Sequence, residues 1–185
     1  MMAACIGKDG GKPTLMVSIP PQKYVLERIA GDKWAVGSMI EKATSAESYD
    51  PDMSQMMDLE NCRAYFVIGN LGFERLAAGK AKTVVDSSKG IAVIDGHSHH
   101  GEMEADPHVW MSVANMRIVA KNMTDALVKI DSNGKAYYQA NYRKLDAELA
   151  AFADSLRQVL APVCGQAFVV WHPALSYFAR DYGLE

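Results

Sequence analysis

Short apolar runs alternate with amphipathic segments through the first half of the chain, and this alternation limits the possible folds more than any other feature. Four apolar runs have the length of strands: residues 14–19, 34–40, 64–68 and 82–87. The segments between them carry helical spacing or helix-capping residues, and no two runs are joined by a two-residue hairpin turn. Strands that alternate with helices pair in parallel. The sequence therefore predicts an α/β fold, a parallel sheet flanked by helices.

Residues that begin and end helices support this pattern. Pro20 is favoured in the first turn of a helix, and Gly31 ends the same segment. Asp52 caps a short helix, 53–61, whose methionines we expect to face inward. Ser112 caps a longer helix in the second half of the chain. The helices of the first half thus fall between the predicted strands.

The longest predicted element is a helix from Lys135 to Leu160. This segment contains no Gly or Pro and is rich in Ala, Leu, Lys, Glu and Gln. It favours an uninterrupted helix of about 39 Å, at about 1.5 Å per residue. A coiled coil is the alternative, but the apolar residues form only one stripe. We interpret the helix as a rigid strut between two lobes.

The residues after the strut begin a second α/β unit. Residues 167–171 have the pattern of a strand, and Pro173 is placed to open a helix. A unit of about 20 residues cannot bury a core of its own, so we expect a truncated second lobe. The predicted organisation is a flexible N-terminal tether (1–12), an N-terminal α/β lobe (13–134), a long linking helix (135–162) and the start of the truncated lobe (166–185).

Charge, hydropathy and cysteine content exclude several classes of protein. A net charge of -3 without a basic cluster argues against a nucleic-acid partner. No apolar run approaches the roughly 18 residues that span a bilayer. The three cysteines form no CxxC pair, which argues against a zinc knuckle or a thioredoxin-type motif. We interpret Cys62 and Cys164 as buried thiols.

The first cysteine indicates a different role. Cys5 follows MMAA and precedes a Gly- and Lys-rich stretch, as at the end of a bacterial lipoprotein signal. Lipidation of Cys5 would anchor the protein to a membrane. The alternative is an ordinary N-terminus in which the cysteine occurs by chance.

Four of the five histidines lie in one Gly-flanked stretch, 96–110, which reads GHSHHGEMEADPHVW. Its last histidine, His108, precedes a helix, and His172 lies between an apolar run and a proline. Both positions are junctions of the kind where α/β proteins hold ligands. The acidic residues Glu47 and Asp50 lie in a third such loop. Imidazole and carboxylate are ligands of zinc and manganese; the alternative for each histidine alone is an ordinary hydrogen-bonded side chain.

Four blocks of sequence resemble one protein family. They read SIPPQKYVLERIAGD, SYDPDMSQMMDLENCRAYFVIG, DPHVWMSVANMRIVAKNMTDAL and FVVWHPALSYFARDYGLE. They resemble the zinc- and manganese-specific solute-binding proteins of bacterial ABC transporters, nearly throughout the chain from Pro13 onward. The resemblance implies two α/β lobes joined by one rigid helix, with a metal ion in the cleft between them. It also implies no catalysis, delivery of the metal to an ABC permease, and an extracytoplasmic location, periplasmic or lipid-anchored.

The resemblance assigns metal ligands by position. His108 and His172 match the histidines of the DPHxW and HP blocks. Glu47 stands two residues before Tyr49, where family members that prefer zinc usually have histidine. Zinc is the expected ion, and manganese is the alternative because a carboxylate makes the site harder. A fourth, acidic ligand is expected beyond residue 185.

The histidine-rich loop is a second candidate metal site. The zinc branch of the family often carries such a loop before the DPHxW block. The candidate ligands here are His97, His99, His100, Glu102 and Glu104. A flexible loop must be ordered on binding, so we expect weaker metal binding than in a preformed cleft. Capture and handover of metal, or sensing, are the expected roles; a solvated loop without function is the alternative.

A zinc-dependent hydrolase is the competing function. Two histidines and a carboxylate can hold zinc and leave a position for water, and Glu47, His108 and His172 fit this pattern. The sequence contains no GxSxG nucleophile and no HExxH helix. We therefore expect a binding protein rather than an enzyme.

Overall fold

The computed structural model describes residues 12–41, 45–96 and 105–185. Within these ranges four strands form one parallel sheet: β1 Thr14–Val17, β2 Ala35–Ser38, β3 Ala64–Val67 and β4 Val84–Asp86. Their order across the sheet is β2-β1-β3-β4. Leu15 lies opposite Val36 on one side and Ala64 on the other. The predicted α/β fold with a parallel sheet is confirmed, although each strand is shorter than the apolar run that predicted it.

Six α-helices accompany the sheet in the described ranges: α1 Pro20–Ala30, α2 Met53–Asn61, α3 Glu74–Ala78, α4 Val113–Ile130, α5 Lys135–Leu160 and α6 Ser176–Tyr182. The predicted caps are present. The Ser112 hydroxyl accepts the backbone N–H of Asn115 at 3.0 Å, and the Asp52 carboxylate accepts that of Gln55 at 2.9 Å. None of these helices has the length and apolar character needed to cross a membrane.

The strands and helices share one buried core. All four residues of β3 are buried, and α1, α4 and α5 pack against one another beside the sheet. Gln22 of α1 ties the ends of three strands together. Its side chain accepts the backbone N–H of Ser18 at 3.1 Å and donates to the Phe66 carbonyl at 3.2 Å and to the Ser87 hydroxyl at 2.8 Å. The carboxyl ends of the strands therefore form a fixed base for the loops that follow them.

Helix α5 has the predicted bounds and is anchored along its first half. It contains 26 residues, and Leu145 is the last of them that is buried. Arg28 of α1 donates to both carboxylate oxygens of Glu148 at 2.8 and 2.7 Å, and Arg117 of α4 donates to Asp146 at 2.6 and 3.0 Å. The long helix is thus confirmed as an element. Its role as a strut between lobes, and the domain bounds, stay predictions.

Two predictions about side-chain burial are wrong. Met53 and Met57 of α2 are 78% and 56% exposed, and Met56 is the methionine of this helix that is buried. Only one face of a helix can pack against a core, so adjacent methionines cannot all face inward. Cys62 is buried as predicted, but Cys164 is exposed, because the chain leaves the core after α5.

The predicted strand at 167–171 is also absent from the described structure. A strand needs a neighbour to bond its N–H and C=O groups along its length. Here Phe168 donates to the Glu185 carbonyl at 2.8 Å and Glu185 donates to the Gln166 carbonyl at 3.1 Å, while the side chains of Val169 and Trp171 are fully exposed. The following helix begins at residue 176 rather than at the predicted proline, residue 173.

Candidate metal centre

Three side chains from distant parts of the chain converge on one point. The Nε2 atoms of His108 and His172 lie 3.2 Å apart. Glu47 Oε1 lies 3.5 Å from His108 Nε2 and 3.8 Å from His172 Nε2. One ligand atom from each residue therefore lies within 4.8 Å of the others. The structure brings together the three residues that the sequence predicts as ligands.

These separations suit a single transition-metal ion. Zinc binds imidazole nitrogen and carboxylate oxygen at about 2.0–2.2 Å, so two ligand atoms of a tetrahedral site lie roughly 3.3–3.6 Å apart. The observed separation of 3.5 Å lies within this range, and those of 3.2 and 3.8 Å lie just below and just above it. An ion between the three atoms would replace the direct contact between the two imidazoles. Two neutral nitrogens and one carboxylate form a donor set for zinc, and manganese accepts the same set less strongly.

His108 is the buried member of this trio, and Asp106 fixes the orientation of its ring. Asp106 Oδ1 accepts the backbone N–H of His108 at 2.9 Å and lies 2.8 Å from His108 Nδ1. An ionised carboxylate can only accept, so the bond to Asp106 places the ring proton on Nδ1 and leaves the Nε2 lone pair for a metal ion. The Trp110 ring packs beside the imidazole, with 5.1 Å between ring centroids. A carboxylate in this position orients a metal-binding histidine and raises its basicity.

Glu47 and His172 leave the site open on one side. Their side chains are 43% and 51% exposed, against 8% for His108. They face a cavity of about 450 Å³ whose lining also contains Asp95 and Asp106. The carboxylates along this cavity attract cations. The cavity therefore gives a hydrated cation access from solvent to these three side chains.

The loop between β3 and α3 forms one wall of this cavity. Asn70 and Gly72 contribute to the lining. Glu74, which is buried, holds the loop: its carboxylate accepts the backbone N–H groups of Ile68 at 2.7 Å and Gly69 at 2.8 Å. Burial raises the pKa of the Glu74 carboxyl, although its hydrogen bonds oppose the change. The cavity wall is therefore attached to the end of the sheet.

Other predicted site residues lie elsewhere. Asp50, the second acidic candidate of its loop, is not part of the converging group. The candidate ligands of the histidine-rich loop, His97, His99, His100, Glu102 and Glu104, lie outside the described residues, as does the lipidation candidate Cys5. The two ends of that loop are described. They are joined by an antiparallel bridge between Asp95 and Ala105.

Sequence reasoning missed two residues that support the site. Asp106 lies two residues before His108, and this spacing, together with the fixed backbone of the proline between them, was a usable signal. Tyr177 donates its hydroxyl proton to the Asp106 carbonyl at 2.9 Å. The two residues are 71 positions apart, so no local pattern could have connected them.

Comparison with known proteins identifies the family. The model of the family described as "ZnuA: Zinc-uptake complex component A periplasmic" matches residues 15–185. The chain belongs to the ZnuA family. Members of the ZnuA family are non-enzymatic metal-binding proteins that work with ABC transporters, which confirms both the resemblance and the prediction that the chain is not an enzyme. The competing hydrolase function is thereby set aside.

Individual relatives cover most of this chain but are longer. The high-affinity zinc uptake system protein ZnuA of Bacillus subtilis (strain 168) is 26% identical over 95% of the chain. The manganese ABC transporter substrate-binding lipoprotein PsaA of Streptococcus pneumoniae (strain TIGR4) is 25% identical over 86% of the chain. The chain spans 60% to 62% of the length of the first four curated relatives that it matches.

Solved structures of ZnuA agree with the fold. A crystal structure of ZnuA matches with a TM-score of 0.84 and 33% identity, covering 94% of this chain and 69% of the other. A ZnuA deletion mutant with zinc bound matches with the same TM-score and identity, and the match covers 68% of that mutant's chain. The sheet, its helices and the long α5 are therefore the architecture of this family.

Proposed function

We propose that this chain is the metal-capturing part of an extracytoplasmic solute-binding protein. In this proposal Glu47, His108 and His172 bind one divalent transition-metal ion, which the protein delivers to an ABC permease in the membrane. The convergence of these three side chains on one point carries the proposal. Binding and release require no covalent chemistry, which agrees with membership of a non-enzymatic family.

Zinc is the proposed cargo, and manganese is the alternative. Relatives named for zinc uptake and for manganese transport have nearly equal identity to the chain, 26% and 25%. The ligands favour zinc, since imidazole nitrogen binds zinc more strongly than manganese at most protein sites. Glu47 reduces this preference because a carboxylate is a hard ligand that manganese accepts readily. We propose a zinc site with measurable affinity for manganese.

Two further parts of the proposal concern residues outside the described ranges. We propose that the loop containing His97, His99 and His100 is a second, weaker metal site, and that Cys5 is lipidated. The family description as periplasmic and the name of PsaA as a lipoprotein support an extracytoplasmic location. Either a periplasmic or a lipid-anchored protein would meet incoming metal ions before the permease does.

Isothermal titration of the metal-free chain with zinc tests the main site. Replacing His108 or His172 with alanine should weaken the tightest binding event by well over tenfold, because each change removes one of three protein ligands. Arg28→Ala, which removes a surface ion pair and does not change the lining of the cavity, is the control and should bind zinc normally. A double histidine variant with wild-type affinity would refute the site.

The same titration separates the loop from the cleft. Deleting residues 96–104 should lower the number of bound zinc ions and leave the tightest one in place. Competition between zinc and manganese at the remaining site then gives the metal preference directly. A deletion that removes the tightest ion would contradict the assignment of high affinity to Glu47, His108 and His172.

A further inference from the structure

Helix α6, which follows His172, is attached to the residues around His108 at two points. The first attachment is the hydroxyl of Tyr177, a fully buried side chain. This hydroxyl accepts the backbone N–H of Ile94 at 3.1 Å and donates to the carbonyl of Asp106 at 2.9 Å. The hydroxyl therefore both accepts and donates within the protein, and its acceptor, Asp106, lies two residues before His108.

The second attachment lies on the other side of His108. Asp181 accepts a hydrogen bond from the hydroxyl of Ser112, which is buried and also caps α4 by accepting the N–H of Asn115 at 3.0 Å. The other carboxylate oxygen of Asp181 accepts from Arg180 at 2.9 and 2.7 Å. Hydrogen bonds of Tyr177 and Asp181 thus attach α6 to the chain on both sides of His108.

His172 is tied to α6 by a short connection. Ala174 donates its backbone N–H to the His172 carbonyl at 2.8 Å, and α6 begins two residues later at Ser176. The position of the His172 imidazole therefore depends on the position of α6, although His172 is 64 positions from His108 in the sequence. The attachments of α6 therefore connect the segments that carry the two rings at points much nearer to them than the covalent chain does.

We propose that Tyr177 is a positioning residue of the metal site, with Asp181 as its second anchor. This inference rests on the proposed function. Tyr177 holds His172 against His108 at the separation that one ion requires, before the ion arrives. Its bond to the Asp106 carbonyl also restrains the residue that orients the His108 ring. Removing the hydroxyl therefore disturbs both imidazoles without removing any ligand.

Tyr177→Phe is the direct test, and Tyr138→Phe is a closely matched control. Tyr138 is also fully buried, and its hydroxyl also has two partners, accepting from Trp34 Nε1 at 2.8 Å and donating to Asp131 at 2.6 Å. It does not line the metal cavity. Both variants lose one tyrosine hydroxyl from the core, so their melting temperatures should fall by similar amounts.

Zinc affinity and the visible absorption spectrum of the cobalt(II)-loaded chain are the readouts. Tyr177→Phe should weaken zinc binding at least about tenfold, the usual size of effects from residues that support metal ligands. It should also alter the cobalt(II) bands, which report the coordination geometry. Tyr138→Phe should leave both unchanged. Equal zinc affinity and equal spectra for the two variants would overturn the positioning role.

Asp181→Ala keeps the test decisive if Tyr177→Phe fails to fold. It should weaken zinc binding, whereas Asp154→Ala, which breaks an ion pair with Arg157 on the exposed side of α5, should not. Wild-type affinity in Asp181→Ala would count against the proposal. A wild-type chain that binds neither zinc nor manganese would overturn the proposed function itself, so failure of the function and failure of the positioning role give different results.

Discussion

Asp106 bonds Nδ1 of His108 and leaves Nε2 facing the other two ligands. Replacing it with asparagine keeps the shape of the side chain but removes its negative charge, so the imidazole becomes a poorer donor to a cation. We expect Asp106→Asn to weaken zinc binding by about tenfold or more, measured by isothermal titration. Asp95→Asn is the control, since Asp95 lines the same cavity. An equal loss in the control would show that overall negative charge matters and the bond to His108 does not.

Glu74 is a second residue whose environment can be tested, because its burial makes the stability of the chain depend on pH. Burial raises its pKa in the folded chain above the ordinary value for glutamate. Between the unfolded and the folded pKa, the native state therefore binds more protons than the unfolded state. The contribution of Glu74 to stability is fully present below the unfolded pKa and is lost as pH rises through the folded pKa.

The direction of this pH dependence can be tested with Glu74→Gln, because a glutamine side chain cannot ionise. The unfolding free energy of the wild type, minus that of Glu74→Gln, should decrease as pH rises from about 4 toward neutrality. Denaturant unfolding of the metal-free chain across this range gives the difference directly. Glu60→Gln, which neutralises an exposed glutamate paired with Lys80, controls for the loss of one negative charge. A Glu74 difference that grows with pH would contradict the raised pKa.

Among the elements, the end of α1 depends on a glycine that packs against α5. Gly31 has a φ of +58°, and a Cβ built on it would lie 2.0 Å from the Tyr137 hydroxyl. Gly31→Ala should therefore combine backbone strain of about 1–3 kcal/mol with a steric clash. Gly90 has a φ of +88° with no heavy atom within 4 Å of its would-be Cβ. Gly90→Ala thus measures the strain alone, and chemical denaturation should show the larger loss for Gly31→Ala; equal losses would exclude the clash.

The elements that could be predicted are those whose cause is local. The bounds of α5 follow from 26 residues without Gly or Pro, and the starts of α2 and α4 follow from their capping side chains, Asp52 and Ser112. Residues 167–171 were predicted wrongly because a strand depends on a neighbour that the local sequence does not specify. Burial of Cys164 failed for the same reason, since burial depends on what packs against a residue.

For the whole molecule, the sequence predicts which residues form the candidate site but not the contacts that hold them in position. His108 and His172 were marked by their junction positions, and the family pattern selected Glu47 in place of Asp50. The distances among their ligand atoms depend on contacts between remote segments, such as the bond of Tyr177 to the Asp106 carbonyl. Such contacts leave no periodic pattern in the sequence. The ligands are therefore visible in the sequence, while the preorganisation that brings them together is visible only in the fold.

Metal binding should stabilise the whole chain, because the ligands converge only in the folded state. Zinc at one hundred times its dissociation constant adds about 2.7 kcal/mol, which corresponds to a rise in melting temperature of roughly 5–11 °C for a protein of this size. Differential scanning calorimetry with and without zinc measures the rise, and a chelator should reverse it. The variant His108→Ala/His172→Ala should show almost none of it. Equal stabilisation of this variant would place the tight site elsewhere in the chain, because only ions held by native geometry distinguish the folded from the unfolded state.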